Sequence, residues 1–374
     1  MKVFSISIGF LCLFVVLMGC KDKSQKPVIA QNTTEAVIRV DGITINDSKT
    51  QGNLQLFILS GKEKVSGKRY TTLSEAMDAK KVIVKETGSV NELEIDNNSS
   101  DYVFIHSGDI VKGGKQDRTI SYDVIVPPQT KNMSLASFCV EQGRWEQRAD
   151  EMVVAFSSNT KMLSSKDLRL AAKHENNQGK VWSKVSEQKE YLNAKLSARN
   201  GYEVDIAANE SNSSLQLALE SKELKKTKES IYEKLKGLID TQDAIGYAYA
   251  INGEIYGVEV YNNKQLFADL WDKILESVIV EAISEEGEEV MAVKTKEEVL
   301  AYMKEIKATD KKTAKKVNAA TRFKTIQNEK GNLVFSTEDL GKQQWIHKSY
   351  MKIDTTDRAQ HENLFLNSRF NIEN

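Results

Sequence analysis

The chain has 374 residues, 40% hydrophobic and 28% charged, which supplies apolar material for one large core or two modest ones and sets it apart from disordered segments. Lys and Arg number 52 against 53 Asp and Glu, a formal net charge of -1. Nucleic acid is therefore not an expected partner, because no global field would attract it.

Lys2 followed by the apolar run "VFSISIGFLCLFVVLMG" reads as a secretion signal over residues 1–19. It ends in "LMGC", Leu17 to Cys20, which resembles the bacterial lipobox, where cleavage falls just before a cysteine that is then diacylated. The resemblance makes Cys20 the lipidation site and residues 20–39 a tether opening with "KDKSQKP". It places the protein on a membrane of the bacterial cell envelope, with the outer membrane expected and the leaflet open. Each buried acyl methylene contributes roughly 0.8 kcal/mol, so a multiply acylated cysteine anchors durably. Cys12 leaves with the signal and Cys20 carries lipid, so Cys139 has no intramolecular partner and no structural disulfide is expected. Cys139 reads as a small buried hydrophobe.

From Glu35 to Leu59, "AVIRVDGITI" and "LQLFIL" predict two strands separated by the polar "NDSKTQGN". Thr72 and Glu75 then stand in the capping-box relation and open a short helix. Strands are expected in "VNELEID", "DYVFIHSG", "TISYDVIVPP" and "SLASFCVE", the third with Ile120, Tyr122, Val124 and Val126 on one face. After "GRW" the period becomes helical, with Val181, Val185, Leu192 and Leu196 on one stripe. Residues 200–214 read as a polar loop, followed by one lysine-rich helix through "LALESKELKKTKESIYEKLKGLI". Asn252-Gly253 predicts a type I′ hairpin turn inside "AIGYAYAINGEIYGVEVY". An amphipathic helix follows with Phe267, Trp271, Ile274 and Val278 on its core side, and Thr295 with Glu298 caps another. "TRFKTIQN", "NLVFST" and "WIHKSYMKI" return to strands, the first pair turning at Gly331-Asn332.

The expected fold class is α+β: an antiparallel β-rich N-terminal half, a helical middle, and a hairpin with a C-terminal meander packed against amphipathic helices. It forms one domain over 40–355, with 356–374 as a tail.

The chain has no GxGxxG after a strand, no P-loop, no HExxH, no GxSxG and no CxxC, so no cofactor can be named. Histidines 106, 174, 347 and 361 lack ligand spacing, and no metal site is predicted. The densest polar stretch is "SGDIVKGGKQDR", Ser107 to Arg118, read as a loop between two strands. Gly113 and Gly114 could leave N–H groups open as an anion nest, Gln116 could orient an amide or sugar, and Arg118 could grip phosphate or carboxylate. Asp109 is a candidate acid/base there; the alternative is a turn that Asp109 caps, with Arg118 paired to an acid. In "CVEQGRW", Glu141 is a second candidate acid/base, with Arg144 and Trp145 completing a pocket for a planar anion. The same residues equally form a Glu–Arg brace lidded by Trp145.

"SGDIVKGGKQDR", "VIVPP", "CVEQGRW", "DAIGYAYAINGEIYGVEVY" and "LFADLWDKILESVIVEA" together resemble the ARG and rhodanese-phosphatase-superfamily-associated protein domain, from about "LQLFIL" to "HKSY". The resemblance implies a connection to ADP-ribose or nucleotide chemistry and carries over no catalytic residue. Three functional readings follow. The first is a lipid-anchored envelope protein binding a small nucleotide- or sugar-phosphate-like anion. The second is a hydrolase acting on such a ligand, and the third is a structural or partner-binding lipoprotein.

Overall fold

The computed structural model describes residues 39–353, apart from 41, 149–150, 288–291 and 308. Cys20, the tether, His361 and the C-terminal tail lie outside the described residues, all of which belong to the unit Ile38–Asn374.

The first half runs β1 (Arg39–Val40), β2 (Ile43–Gln51), β3 (Leu54–Gly61), β4 (Tyr70–Thr72), α1 (Leu73–Asp78), β5 (Val82–Glu86), β6 (Glu92–Asn97) and β7 (Tyr102–Ile105). It continues through β8 (Asp109–Gly113), β9 (Arg118–Ile120), β10 (Val124–Val126), β11 (Thr130–Cys139) and β12 (Phe156–Leu163). The helical middle holds α2 (Lys166–Leu170), which continues into a π turn at Ala171–Glu175, then α3 (Gln178–Asn200), α4 (Leu215–Leu219) and α5 (Lys222–Leu235). The last part comprises β13 (Ala244–Ile251), β14 (Glu254–Tyr261), α6 (Lys264–Ser284), α7 (Lys296–Lys304), β15 (Lys311–Lys316), β16 (Thr321–Gln327), β17 (Asn332–Asp339) and β18 (Gln344–Lys352). The protein is thus α+β with a β-rich N-terminal half, as expected.

Nine strands form one antiparallel sheet in the order β1-β2-β3-β13-β14-β18-β17-β16-β15. The Asn252-Gly253 hairpin therefore lies near the middle of the sheet, with β3 on one side and the C-terminal meander on the other. Asn252 and Gly253 both adopt positive φ, 50° and 75°, as a type I′ turn requires. Both faces of this sheet are covered. Leu54, Leu56 and Ile58 alternate into one core with Tyr247, Tyr261, Phe267 and Trp271, while Phe57 and Leu59 enter another with Val258, Val260 and Val299. Helix α6 covers the first face with Phe267, Trp271, Ile274 and Val278 buried, and α7 packs on the second. A six-stranded sheet, β12-β8-β9-β11-β6-β5, and a three-stranded one, β10-β7-β4, complete the fold. Both predicted capping boxes are present, at Thr72/Glu75 and Thr295/Glu298.

Several local expectations are corrected. The stretch after Ser107 is a hairpin, β8 with β9, in which Ile110 pairs with Thr119 and Val111 with Arg118. "NDSKTQ" belongs to β2, which reaches the turn at Gly52. The lysine-rich helix is broken at Ser221, the N-cap of α5, with Leu219 and Leu224 buried on either side of the break, and it ends in a 3₁₀ turn at Lys236–Asp240. The C-terminal turn closes at Gly331, with Asn332 already in β17. "TISYDVIV" is two strands in two sheets, separated by Ser121–Asp123, and this break places a buried carboxylate at the end of β10.

Candidate functional site

The residues expected around the glycine-rich stretch do come together, but chiefly to pair with one another. Arg144 reaches both oxygens of Glu141 at 2.7 Å through Nε and Nη2. Arg148 holds Asp117 at 2.8 and 2.9 Å and Glu141 at 3.1 Å, while the Asp117 N–H donates to Glu141 at 3.0 Å. Glu141, Asp117 and Arg118 are fully buried, and burial pressing the Glu141 carboxyl upward is outweighed by Arg144 and its other donors, so its pKa is lowered. The Gly113 and Gly114 N–H groups are not an open nest: they donate to Asp117 Oδ1 and to the Met152 carbonyl. Gly114 also sits where a Cβ would come within 2.4 Å of Phe156. Arg118 donates to the Gln116 carbonyl at 3.0 Å and lies 3.5 Å from Glu86; Gln116 Oε1 and Arg118 Nε have no hydrogen-bond partner among the described residues. Trp145 is 48% exposed and so does not lid this network. The geometry is that of a buried brace. Cys139 is buried and free, and burial pushes its thiol up to about 11, as fits a packing residue.

Asp109 has a different setting. It is buried, ion-paired with Lys273 at 2.7 Å, and its other oxygen accepts the His106 N–H at 2.8 Å. It thereby fixes the backbone of the residue just before the glycine-rich stretch.

His106 belongs to a second cluster, assembled on the α6 face of the nine-stranded sheet. Glu259 and Tyr261 project from β14 by period-2 alternation. His347 on β18 is the registered partner of Tyr261. The antiparallel pair β7–β10, with Ile105 opposite Val124, brings His106 and Asp123 to its end. Arg169 comes from α2. His106, Asp123, Arg169, Glu259, Tyr261 and His347 are all buried.

Both imidazoles are oriented through Nδ1. His347 Nδ1 lies 2.7 Å from Asp123 Oδ2, and His106 Nδ1 lies 2.7 Å from the Ser107 carbonyl, which can only accept. Asp123 is itself held by the Ser107 N–H and the Thr337 hydroxyl, each at 2.7 Å. Both Nε2 atoms then face Glu259 Oε2, at 3.4 Å from His106 and 3.3 Å from His347. The Tyr261 hydroxyl stands 2.8 Å from His106 Nε2 and 3.2 Å from Glu259 Oε2. Glu259 Oε1 takes Arg169 Nη1 at 2.5 Å. Among the described residues His347 Nε2 makes no hydrogen bond, its contact with Glu259 being an ion pair.

The electrostatics follow from burial opposed by pairing. Burial presses Glu259 toward its neutral form, but Arg169 and the histidines hold it well below the usual carboxylate range. Asp123 is likewise lowered, with His347 overcoming burial. Burial disfavours a charged His347, yet Asp123 holds its pKa up to about 9. Burial pushes Tyr261 up, with Glu259 adding to it.

His106, His347 and Glu259 offer three ligand atoms within 4.8 Å of one another. Tetrahedral coordination at ~2.0–2.1 Å separates neighbouring ligand atoms by about 3.3–3.5 Å, which both carboxylate–imidazole spacings match. An Nδ1–H donated to a carboxylate or carbonyl is also the usual support of a metal-binding imidazole. Sequence spacing missed this set because its members lie on β14, on β18 and after β7. One signal was legible: Glu259 is a lone acid in the apolar strand "YGVEVY", and such a buried carboxylate requires partners.

The fold and this cluster define an α+β domain with a buried site of two histidines and one carboxylate. The chain belongs to the ARG and Rhodanese-Phosphatase-superfamily-associated Protein domain family, whose profile matches residues 42–351. No curated protein and no solved structure matches it.

Proposed function

We propose that this domain binds one divalent transition metal ion through His106 Nε2, His347 Nε2 and Glu259. The observation that carries the reading is the buried Nε2 of His347, which makes no hydrogen bond among the described residues and converges with that of His106 on one carboxylate oxygen while both Nδ1 atoms are engaged elsewhere. Two imidazoles and a carboxylate suit zinc or iron(II) better than magnesium or calcium, which favour all-oxygen sites. Without metal, the proton on His347 and the Arg169 pair balance the buried carboxylates; a metal ion would displace the His347 proton. The Tyr261 hydroxyl, close to two of the three ligand atoms, supports a fourth ligand position or an outer hydrogen bond there.

The test is metal analysis of the purified chain, followed by Co2+ titration of chelator-treated protein monitored by visible absorption. One equivalent bound with tetrahedral-type bands, lost in both His106→Ala and His347→Ala, is expected. A chain that purifies metal-free and gives no cobalt spectrum while folded would leave the cluster an internal ion-pair network.

Its location is proposed to be the bacterial envelope, anchored through acylated Cys20. The support is the lipobox-like "LMGC" after a basic and apolar leader. Mass spectrometry of the amino-terminal peptide decides it: a diacylated Cys20 is expected, and an unmodified leader retained on the chain would remove the anchor. Asp109 and Glu141, each in an internal ion pair, give a hydrolase reading no free acid/base.

A further inference from the structure

A second group of buried and basic side chains lies beyond Arg169 and outside the proposed metal ligands. The π turn that extends α2 carries Lys173, one helical step beyond Arg169. Single π turns inside helices are often found at functional sites, since they re-aim side chains that a regular helix would direct elsewhere. Lys173 is only 6% exposed and makes no direct ion pair or hydrogen bond among the described residues, although the buried Glu259 and Asp123 act on its charge from a distance. Its ammonium stands 4.2 Å from the centre of the Phe335 ring. Burial, aided by Arg169, pushes its pKa down to about 7.

Lys173 lines a cleft of about 310 Å3 together with Tyr122, Phe323, Lys311, Lys315 and Thr313. Tyr122 and Phe323 meet edge to face at 4.9 Å, and Lys315 lies 4.7 Å above the Tyr122 ring. Lys311 and Lys315 sit on β15, an edge strand exposed throughout, and have no acidic partner among the described residues. Among the described residues no carboxylate lines the cleft. In a chain whose 52 basic and 53 acidic residues nearly balance, three lysines around one aromatic-walled concavity make a local positive field that an anion would relieve. A partly desolvated ammonium at the base interacts far more strongly than one in open water. Compact ammonium groups with several donors suit phosphoryl oxygens.

We propose that this cleft binds a small phosphorylated anion, with Lys173 as its innermost contact and Lys311 and Lys315 at its mouth. None of these residues is a ligand in the metal reading, although Lys173 feels the charges of Arg169, Glu259 and Asp123 from that cluster. The glycine-rich stretch, whose N–H groups are paired internally, takes no part in it.

The probe is inorganic pyrophosphate, titrated calorimetrically into the full chain freed of metal by chelation and dialysis. One saturable site is expected, weakened at least about tenfold by Lys173→Met, the scale of one lost charge-assisted contact. Lys311→Gln combined with Lys315→Gln, on an exposed strand where folding is not at stake, should weaken it about threefold or more and flatten its salt dependence. Absence of saturable binding in the metal-free chain would overturn the proposal, as would unchanged affinity in the lysine variants. If Lys173→Met fails to fold, the surface double variant decides. His347→Ala separates the two sites: it removes cobalt binding under the metal reading and leaves pyrophosphate binding in place, whereas loss of both would overturn a separate anion site.

Discussion

The Nδ1 of His347 lies 2.7 Å from Asp123 Oδ2, across 224 residues of chain. Asp123 holds this ring from a break between two strands, and its own oxygens are fixed by Ser107 and Thr337. The pair thus joins the β7–β10 corner to the central sheet. Asp123→Asn should weaken divalent metal binding by about 10–100-fold, the usual effect of removing a carboxylate behind a ligating histidine. Competition against a chromophoric chelator reads this directly, and unchanged affinity would show that Asp123 does not act on the metal.

Lys173 gives a pH prediction with a definite sign. Its pKa falls from an ordinary 10.5 to about 7 in the folded chain. Between those values the unfolded chain binds more protons, so this residue's contribution to stability rises with pH. His347, raised from 6.5 to about 9, contributes stability that is full below 6.5 and lost as pH rises through 9. That opposite slope is common to parent and Lys173→Met, so their difference isolates the lysine. Thermal unfolding in chelator should show the parent gaining on the variant as pH rises above about 7; a difference independent of pH would contradict the lowered pKa of Lys173.

Two glycines protect the cluster by close approach. At Gly246 a Cβ would lie 2.2 Å from the Glu259 carbonyl and 2.9 Å from Val260 Cα, both backbone atoms of the paired strand. Gly246→Ala should therefore cost about 3 kcal/mol, at the upper end for overpacking, and disturb Glu259 with it. Gly108 has φ +95° and would place a Cβ 2.7 Å from Cδ and 2.8 Å from Cγ of Arg169, a buried side chain held by Glu259, so Gly108→Ala should cost about 3 kcal/mol or more from backbone strain and overpacking together. Urea unfolding midpoints measure both.

The brace beside β8 and β9 makes a contrasting pair. Arg148→Met takes the close cationic partner from the fully buried Asp117, while Glu141 keeps Arg144, and should cost about 3–5 kcal/mol. Trp145→Ala, at a 48% exposed site, should change stability by no more than about 0.5 kcal/mol. Equal effects at the two positions would remove the brace.

What the sequence determined by itself is what neighbours along the chain control. Thr72 with Glu75 and Thr295 with Glu298 form their caps because the contact spans three residues, and Asn252-Gly253 turns because its own φ angles demand it. Helix α6 buries the predicted stripe because periodicity already names its apolar side. The same local reasoning found the glycine-rich stretch and "CVEQGRW" and noted that their charges could brace one another. Only the tertiary structure decided that they do, that Ser121–Asp123 breaks a strand, and that His106, Glu259 and His347 meet. Those outcomes depend on which strands pair and in what register, contacts between distant segments whose free energy no local spacing records.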